Sequence, residues 1–158
     1  MESDGMEGDG MESDGMESDG ATALTPADYE SLAKFRFLLR QFLIFSESAA
    51  ADTGLTAQQH QALLAIKGFG GSHAVTTGAL AKWLGIRPHS AVGLVDRLEA
   101  KGLVHRRPGS QDRRQVLLDL TPEAEELLTG LSLTHRDELE RLAPLLRPLL
   151  EQLVPVGD

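Results

Sequence analysis

The sequence predicts one mainly α-helical domain that carries a small β-hairpin. Three observations support this fold class. Aliphatic residues, leucine above all, dominate a chain in which aromatic residues make up only 4%. Two short apolar helical patterns are separated by Gly85-Ile86-Arg87-Pro88, a sequence typical of a tight turn between two helices. Further along, two short β-prone runs flank HRRPGSQDRRQ (residues 105–115), a pattern that indicates a hairpin with a basic tip.

Charge is distributed unevenly along the 158 residues, whose formal net charge is −9. Residues 1–20 carry −8, residues 21–81 are neutral, residues 82–114 carry +5 and residues 115–158 carry −6. A local basic field matters more for binding a polyanion than the charge of the whole chain does. The basic window of residues 82–114 therefore favours a polyanionic partner although the protein is acidic overall.

The first 20 residues form the repeat MESDG, MEGDG, MESDG, MESDG. Glycine at every fifth position and repulsion among like charges predict a disordered acidic tail, with the folded domain in residues 21–158. Two roles for the tail are open at this stage. It is either a solvated extension or an acidic arm that competes with a phosphate backbone for the basic window.

Threonine caps predict where the first two helices begin. Thr25-Pro26 starts a first helix that runs to about Ala50 and is apolar around nearly its whole circumference, which favours cover by a second subunit. Thr56 caps a second helix that is expected to end near Ile66. The glycine-rich stretch that follows predicts a loop, with a short strand near residues 73–75.

The second half of the chain predicts a helix-turn-helix, a hairpin and further helices. Thr76 caps the third helix, and a fourth helix covers residues 88–101. The hairpin spans roughly residues 103–120. Thr121 starts a fifth helix, and Pro144 and Pro148 predict a separate last helix near 144–153. The fourth helix has an apolar inward stripe of Ala91, Leu94, Val95 and Leu98.

This order of elements predicts a winged helix-turn-helix lobe over residues 56–120, flanked by dimerisation helices over 24–52 and 122–153. An α-helix fits the major groove of DNA, and the exposed half of the fourth helix offers residues that reach base edges. Gly93 costs about 1 kcal/mol of helix stability relative to alanine. Either the position tolerates glycine, or close approach to a backbone requires it. The candidate DNA-contacting residues of this helix are Arg87, His89, Ser90, Gly93 and Arg97.

The tip of the hairpin supplies the second set of candidate DNA-binding residues. A two-stranded ribbon that projects Arg113 and Arg114 places a guanidinium in the minor groove, where the potential is most negative. Asp112 is expected to orient one arginine through a bidentate pair. The alternative is a surface ion pair that contributes less than about 1 kcal/mol.

The chain resembles the MarR family of bacterial transcription regulators in three stretches. These are HSAVGLVDRLEAKGLVHRR (89–107), DRR (112–114) and VLLDLTPEAEELL (116–128). The resemblance implies a cytoplasmic homodimer that binds a pseudo-palindromic operator in double-stranded DNA and represses transcription. It also implies that Arg114 enters the minor groove, supported by Arg113 and Asp112. The acidic repeat departs from the family pattern.

Many members of this family release DNA when a small aromatic or phenolic acid binds between the dimerisation helices and the DNA-binding lobe. The resemblance therefore implies such an effector, with Arg36, Arg40 and His60 as candidate ligand-binding residues. Ordinary ion pairs are the alternative role for each of them. The redox-sensing branch of the family depends on cysteine, which this chain lacks, so thiol oxidation is excluded.

Other function classes have little support in the sequence. It contains no HExxH, GxSxG, CxxC or Walker motif, so we expect no enzyme activity, no catalytic residues, no metal and no cofactor. A histidine–carboxylate metal site assembled by folding stays open. No apolar run approaches the roughly 20 residues that cross a bilayer, so no membrane partner is expected. The alternative function is a winged-helix scaffold for protein partners, which has no use for Arg113 and Arg114.

Overall fold

A computed structural model describes residues 23–71 and 75–154. Within these ranges the chain forms five helices and one two-stranded antiparallel sheet, which confirms the mainly α class with a small β-wing. The acidic repeat and part of the strand expected near residues 73–75 lie outside the described residues. The elements are α1 (Pro26–Asp52), α2 (Ala57–Gly70), α3 (Thr77–Leu84), α4 (Pro88–Ala100), β1 (Val104–Pro108), β2 (Val116–Leu120) and α5 (Pro122–Leu153).

Four threonines cap four of the helices, as the sequence predicted. In each case the hydroxyl oxygen accepts a hydrogen bond from the backbone N–H three residues later, at 3.1–3.2 Å. Each such cap stabilises its helix by about 1 kcal/mol. The starts of the helices are therefore fixed by local chemistry. The capping residues are Thr25, Thr56, Thr76 and Thr121.

A single apolar core joins the helix-turn-helix to the hairpin. The predicted inward stripe of α4 is fully buried, and its Leu94, Val95 and Leu98 pack in the same cluster as core leucines of α2, α3 and β2, namely Leu63, Leu80 and Leu118. Gly85 ends α3 in the left-handed conformation, with φ +64°, where an L side chain is strained. This turn brings α4 across α3 with one face against the core and the other outward.

The second helix is longer than the sequence predicted. It continues through Lys67-Gly68-Phe69-Gly70, which the glycines had indicated as loop. Two tertiary contacts hold this extra turn. The Phe69 ring lies 4.2 Å, centroid to centroid, from the indole of Trp83, and Lys67 Nζ lies 2.5 Å from Glu125 Oε2 of α5. Packing against α3 and α5 thus overrides the weak helix propensity of glycine.

The predicted break at Pro144 and Pro148 is wrong, because α5 is one helix of 32 residues with both prolines inside it. The prolines are four residues apart and exposed, so the carbonyl groups that lose their intrahelical donor face solvent. Packing against α1 continues past them, and Gln152 Nε2 donates to Asp28 Oδ1 at 3.0 Å.

No helix in the described part of the chain is long and apolar enough to cross a membrane.

Two histidines meet where α1, α2 and α5 join. His60 of α2 is buried, with its ring 4.8 Å from that of His135 on α5. The His135 ring donates through Nδ1 to the Leu131 carbonyl at 2.7 Å, and its Nε2 lies 2.7 Å from Ser46 Oγ. Burial, and to a lesser extent the electrostatic interaction with the His135 ring, holds the pKa of His60 below its ordinary value of 6.5.

The lowered pKa of His60 makes the fold sensitive to acid. The folded chain disfavours the charged imidazole, while the unfolded chain binds the proton freely at its ordinary pKa of 6.5. The free energy of unfolding is therefore expected to fall as the pH drops below about 6.5. We expect urea midpoints at pH 5.5 and pH 8 to differ more for the wild type than for His60→Gln. His105→Gln, which alters an exposed histidine, serves as the control and should keep the wild-type difference.

Candidate nucleic-acid interface

The buried stripe of α4 determines which side chains point away from the lobe. His89, Ser90 and Arg97 are exposed, as is Arg87, which precedes the first turn as the N-cap residue. The Arg87 side chain makes no capping hydrogen bond, and within residues 23–71 and 75–154 neither Arg87 nor Arg97 forms an ion pair. The outward half of α4 thus presents donors that the described fold leaves available.

Gly93 lies among these residues on α4, and the fold itself does not require a glycine there. A Cβ built on it would lie 3.4 Å from Nη1 of Arg97, the end of a flexible side chain, and would meet no other atom within 4 Å. Crowding within the described part of the chain therefore does not explain the glycine. The two explanations from the sequence, tolerance of glycine and close approach to a backbone, both stay open.

The hairpin forms the wing, which projects from the core with a fixed register. β1 and β2 pair from Val104 opposite Leu120 to Pro108 opposite Val116. The Leu118 backbone N–H also donates to the Val75 carbonyl at 2.8 Å, so the segment before α3 pairs with β2. The base of the wing is thereby attached to the lobe that carries α4.

The tip of the wing is closed by hydrogen bonds within its own loop. The Gly109 N–H donates to the Gln115 carbonyl at 2.8 Å, and the Gln115 N–H donates to the Asp112 carbonyl at 3.1 Å. Asp112 Oδ1 accepts the backbone N–H of Arg114 at 2.9 Å. Among the described residues Asp112 therefore does not form the expected bidentate ion pair with an arginine side chain. Its carboxylate instead holds the backbone that carries Arg114.

The four arginines of the hairpin divide into two pairs with different surroundings. Arg106 is paired with two acids of α4, Asp96 at 2.6 Å and Glu99, and Arg107 is paired with Asp119 of β2. Arg113 and Arg114 are exposed at the tip, and neither has an ion-pair partner among residues 23–71 and 75–154. Only the second pair is available to an external anion without breaking a contact.

Reasoning from the sequence missed the role of Arg106, which it counted as part of the basic window. The signal was present in Asp96 and Glu99, which are three residues apart and therefore share one side of α4. The ion pairs join the helix to β1, so Arg106 fixes the direction of the wing relative to α4. Both acids are neutralised by the same guanidinium, which reduces their repulsion of an approaching phosphate.

The three candidate effector-binding residues differ in their surroundings. Arg36 and Arg40 are exposed on α1, one turn apart, whereas His60 is buried in the junction with His135. A ligand that reaches His60 has to separate the packed helices. In the described part of the chain no group of three or more histidine, aspartate or glutamate residues is arranged to hold a metal ion.

Closure of the wing tip depends on Gly109. A Cβ at this position would lie 2.5 Å from the Asp112 carbonyl oxygen, a backbone atom that closes the same loop. Gly109→Ala is expected to lower the free energy of unfolding by about 1–3 kcal/mol, because overpacking forces the backbone to shift. Urea denaturation measures this change, and amide hydrogen exchange locates it in the wing.

Gly68→Ala is the matched control for this substitution. Gly68 lies inside α2 with no atom within 4 Å of its Cβ position, so alanine should stabilise the helix by up to about 1 kcal/mol. Identical unfolding midpoints and unchanged exchange for the two variants would contradict the close contact inferred at the tip.

Comparison with known proteins shows which family this arrangement is similar to. Residues 53–115 match the model described as MarR family. An uncharacterized HTH-type transcriptional regulator, YfiV of Bacillus subtilis, is 36% identical over 78 residues, which are 49% of each chain. The chain thus spans about half the length of this curated relative.

Solved structures share the fold. MepR, described as a transcription regulator of the Staphylococcus aureus multidrug efflux pump MepA, is 20% identical with a TM-score of 0.64, over 73% of this chain and 82% of its own. Its DNA complex gives a TM-score of 0.62 at 21% identity, over 75% and 85%. CouR of Rhodococcus jostii, bound to p-coumaroyl-CoA, is 22% identical with a TM-score of 0.62, over 85% and 99%. These matches confirm the resemblance: residues 53–115 match the MarR-family model, and the solved structures share the fold.

Proposed function

We propose that this protein is a transcription regulator that binds double-stranded DNA, with α4 in the major groove and the wing in the adjacent minor groove. The observation that carries the proposal is the exposed pair Arg113 and Arg114 at the end of a closed, anchored ribbon. Two adjacent cations without acidic partners create a local positive potential that attracts an anion. The DNA complex of MepR supports this use of the fold.

Each candidate residue has a role that follows from its surroundings. Arg114 enters the minor groove, because Asp112 holds its backbone N–H and so directs the residue outward. Arg113 contacts phosphate beside it. In the major groove His89 and Ser90 reach base edges from the first turn of α4, while Arg87 and Arg97 bind phosphate or guanine. The fixed position of the wing allows both grooves to be read together.

A homodimer is the proposed state that binds DNA. Helix α1 exposes Phe37 at 61%, Leu43 at 54% and Ile44 at 52% of their surfaces, and α5 exposes Leu145 at 51%. Apolar side chains exposed to this extent along two adjacent helices are typical of a surface that a second copy covers. Two-fold symmetry then presents two copies of α4 about 34 Å apart, which fits a pseudo-palindromic operator and repression by occupancy.

We also propose a small aromatic acid as effector, bound where α1, α2 and α5 meet. Phe42 and Phe45 pack their rings against His135 at centroid distances of 5.9 and 5.5 Å, so the junction is rich in aromatic surface. Arg36 and Arg40 on α1 offer cations for the carboxylate. CouR is bound to p-coumaroyl-CoA, the CoA thioester of a phenolic acid, which supports an effector with an aromatic group.

The DNA-binding proposal is tested with duplexes selected by the full chain from a random pool. We expect the selected duplex to bind two chains and to lose affinity steeply between 50 and 200 mM salt. Arg114→Ala should lower affinity by at least tenfold and make the salt dependence shallower by about one charge per chain, which is about two for the dimer. Fluorescence anisotropy measures the affinity, and sedimentation measures the mass of the complex. The anisotropy titration is then repeated in the presence of aromatic acids, which should lower the affinity if one of them is the effector.

Arg107→Ala is the matched control, since it removes the same charge from a hairpin residue that is already paired with Asp119 within the hairpin. It should cost less affinity than Arg114→Ala. Equal and negligible losses for both variants would instead favour the alternative, a winged-helix scaffold for protein partners.

Gly93 gives a second test of how α4 docks. Gly93→Ala should raise the free energy of unfolding by up to about 1 kcal/mol, because alanine favours the helix. We nevertheless expect the variant to bind the selected duplex about tenfold more weakly, because a methyl group at the point of closest approach separates α4 from DNA. Gly68→Ala on α2 is the control, with a similar gain in stability and unchanged affinity. Wild-type affinity in Gly93→Ala would mean that the position merely tolerates glycine.

A further inference from the structure

One apolar side chain stands among the polar candidates on the outward side of α4. Val92 is 46% exposed and belongs to neither the buried core nor the partly buried side chains packed against it. A β-branched residue also lowers helix propensity relative to alanine by up to about 0.7 kcal/mol. A single exposed valine needs no explanation by itself, so its neighbours decide whether it has a role.

The positions four residues before and after Val92 on α4 offer no hydrogen-bond donor. Residues four apart share one side of a helix, so Pro88 lies one turn before Val92 and Asp96 one turn after it. Pro88 has no N–H and is exposed, and Asp96 is a carboxylate held 2.6 Å from Arg106. The nearest candidate donor is the exposed His89, three residues before the valine, and Gly93 has no side chain to keep a base edge away from it. Val92 therefore presents accessible methyl groups beside a polar base-reading residue of the proposed recognition helix.

Only one base carries a matching group in the major groove. The edges of guanine, cytosine and adenine present hydrogen-bond donors and acceptors there, whereas thymine adds a C5 methyl group beside its O4 acceptor. Placing an apolar methyl against a polar base edge leaves that edge unpaired. An exposed valine in the first turns of a helix that enters this groove thus favours thymine over the other bases.

We propose that Val92 is a specificity-determining residue that contacts the C5 methyl group of one thymine in each half-site. This inference rests on the proposed DNA-binding function. It assigns to α4 an apolar contact in addition to the polar contacts of His89 and Ser90.

The test removes the C5 methyl group of thymine and the methyl groups of Val92 in separate experiments. Each thymine of the selected duplex is replaced in turn by uracil, symmetrically in both half-sites, which deletes only the C5 methyl group. For the wild type we expect one position at which uracil lowers affinity by about fourfold per half-site, the effect of losing one buried methyl group. Val92→Ala should bind the thymine and uracil duplexes equally at that position, while still discriminating at other positions as the wild type does.

Val154→Ala, which shortens another exposed valine at the far end of α5, is the control and should keep the wild-type discrimination. Alanine favours the helix, so Val92→Ala is expected to fold. Full discrimination in Val92→Ala, or no sensitivity to uracil at any position in the wild type, would overturn the assignment of Val92 and leave the DNA-binding proposal standing. Failure of the chain to enrich any duplex from the pool would overturn both.

Discussion

Arg106 lies between β1 and the carboxylates of Asp96 and Glu99, and the geometry of the proposed DNA-binding surface depends on this contact. A two-stranded hairpin has little stability by itself. Burial of Val104 and Leu118, the hydrogen bond between Leu118 and Val75, and the two ion pairs to α4 together set its direction. The guanidinium also neutralises two acids on the helix that we propose faces DNA. One side chain thus couples the direction of the wing to the electrostatics of α4.

The arginines of the hairpin, which belong to the basic window, consequently fall into two groups. The two arginines of β1 form ion pairs within the fold, Arg106 with Asp96 and Glu99 and Arg107 with Asp119. Arginines at the tip remain exposed on a loop that three hydrogen bonds close. The formal charge of +5 for residues 82–114 is therefore not spread evenly over the surface. Within the hairpin, the positive charge that has no acidic partner is concentrated at the tip.

Sequence patterns predicted the elements whose causes are local. The threonine caps, the buried stripe of α4 and the turn at Gly85 follow from residues a few positions apart, and all are found where they were expected. The errors lie where contacts between residues far apart in sequence determine the secondary structure. The last turn of α2 is held by Trp83 and Glu125, and α5 stays helical past two prolines because α1 covers its inner side. The role of Asp112 was mistaken because its nearest donor is a backbone N–H two residues away, which competes with the side chains of its neighbours.

The unbroken α5 has a mechanical consequence. At 1.5 Å per residue its 32 residues form a rod about 48 Å long. One end begins immediately after β2, and the other is tied through Gln152 to the first turn of α1. A tilt of about 5° at the α1 end of a straight rod of this length would displace the end beside the wing by roughly 4 Å. That end is joined to α2 by the Lys67–Glu125 ion pair, so such a tilt would carry the arginine-bearing ribbon with it, over a distance comparable to the depth to which a side chain enters a groove.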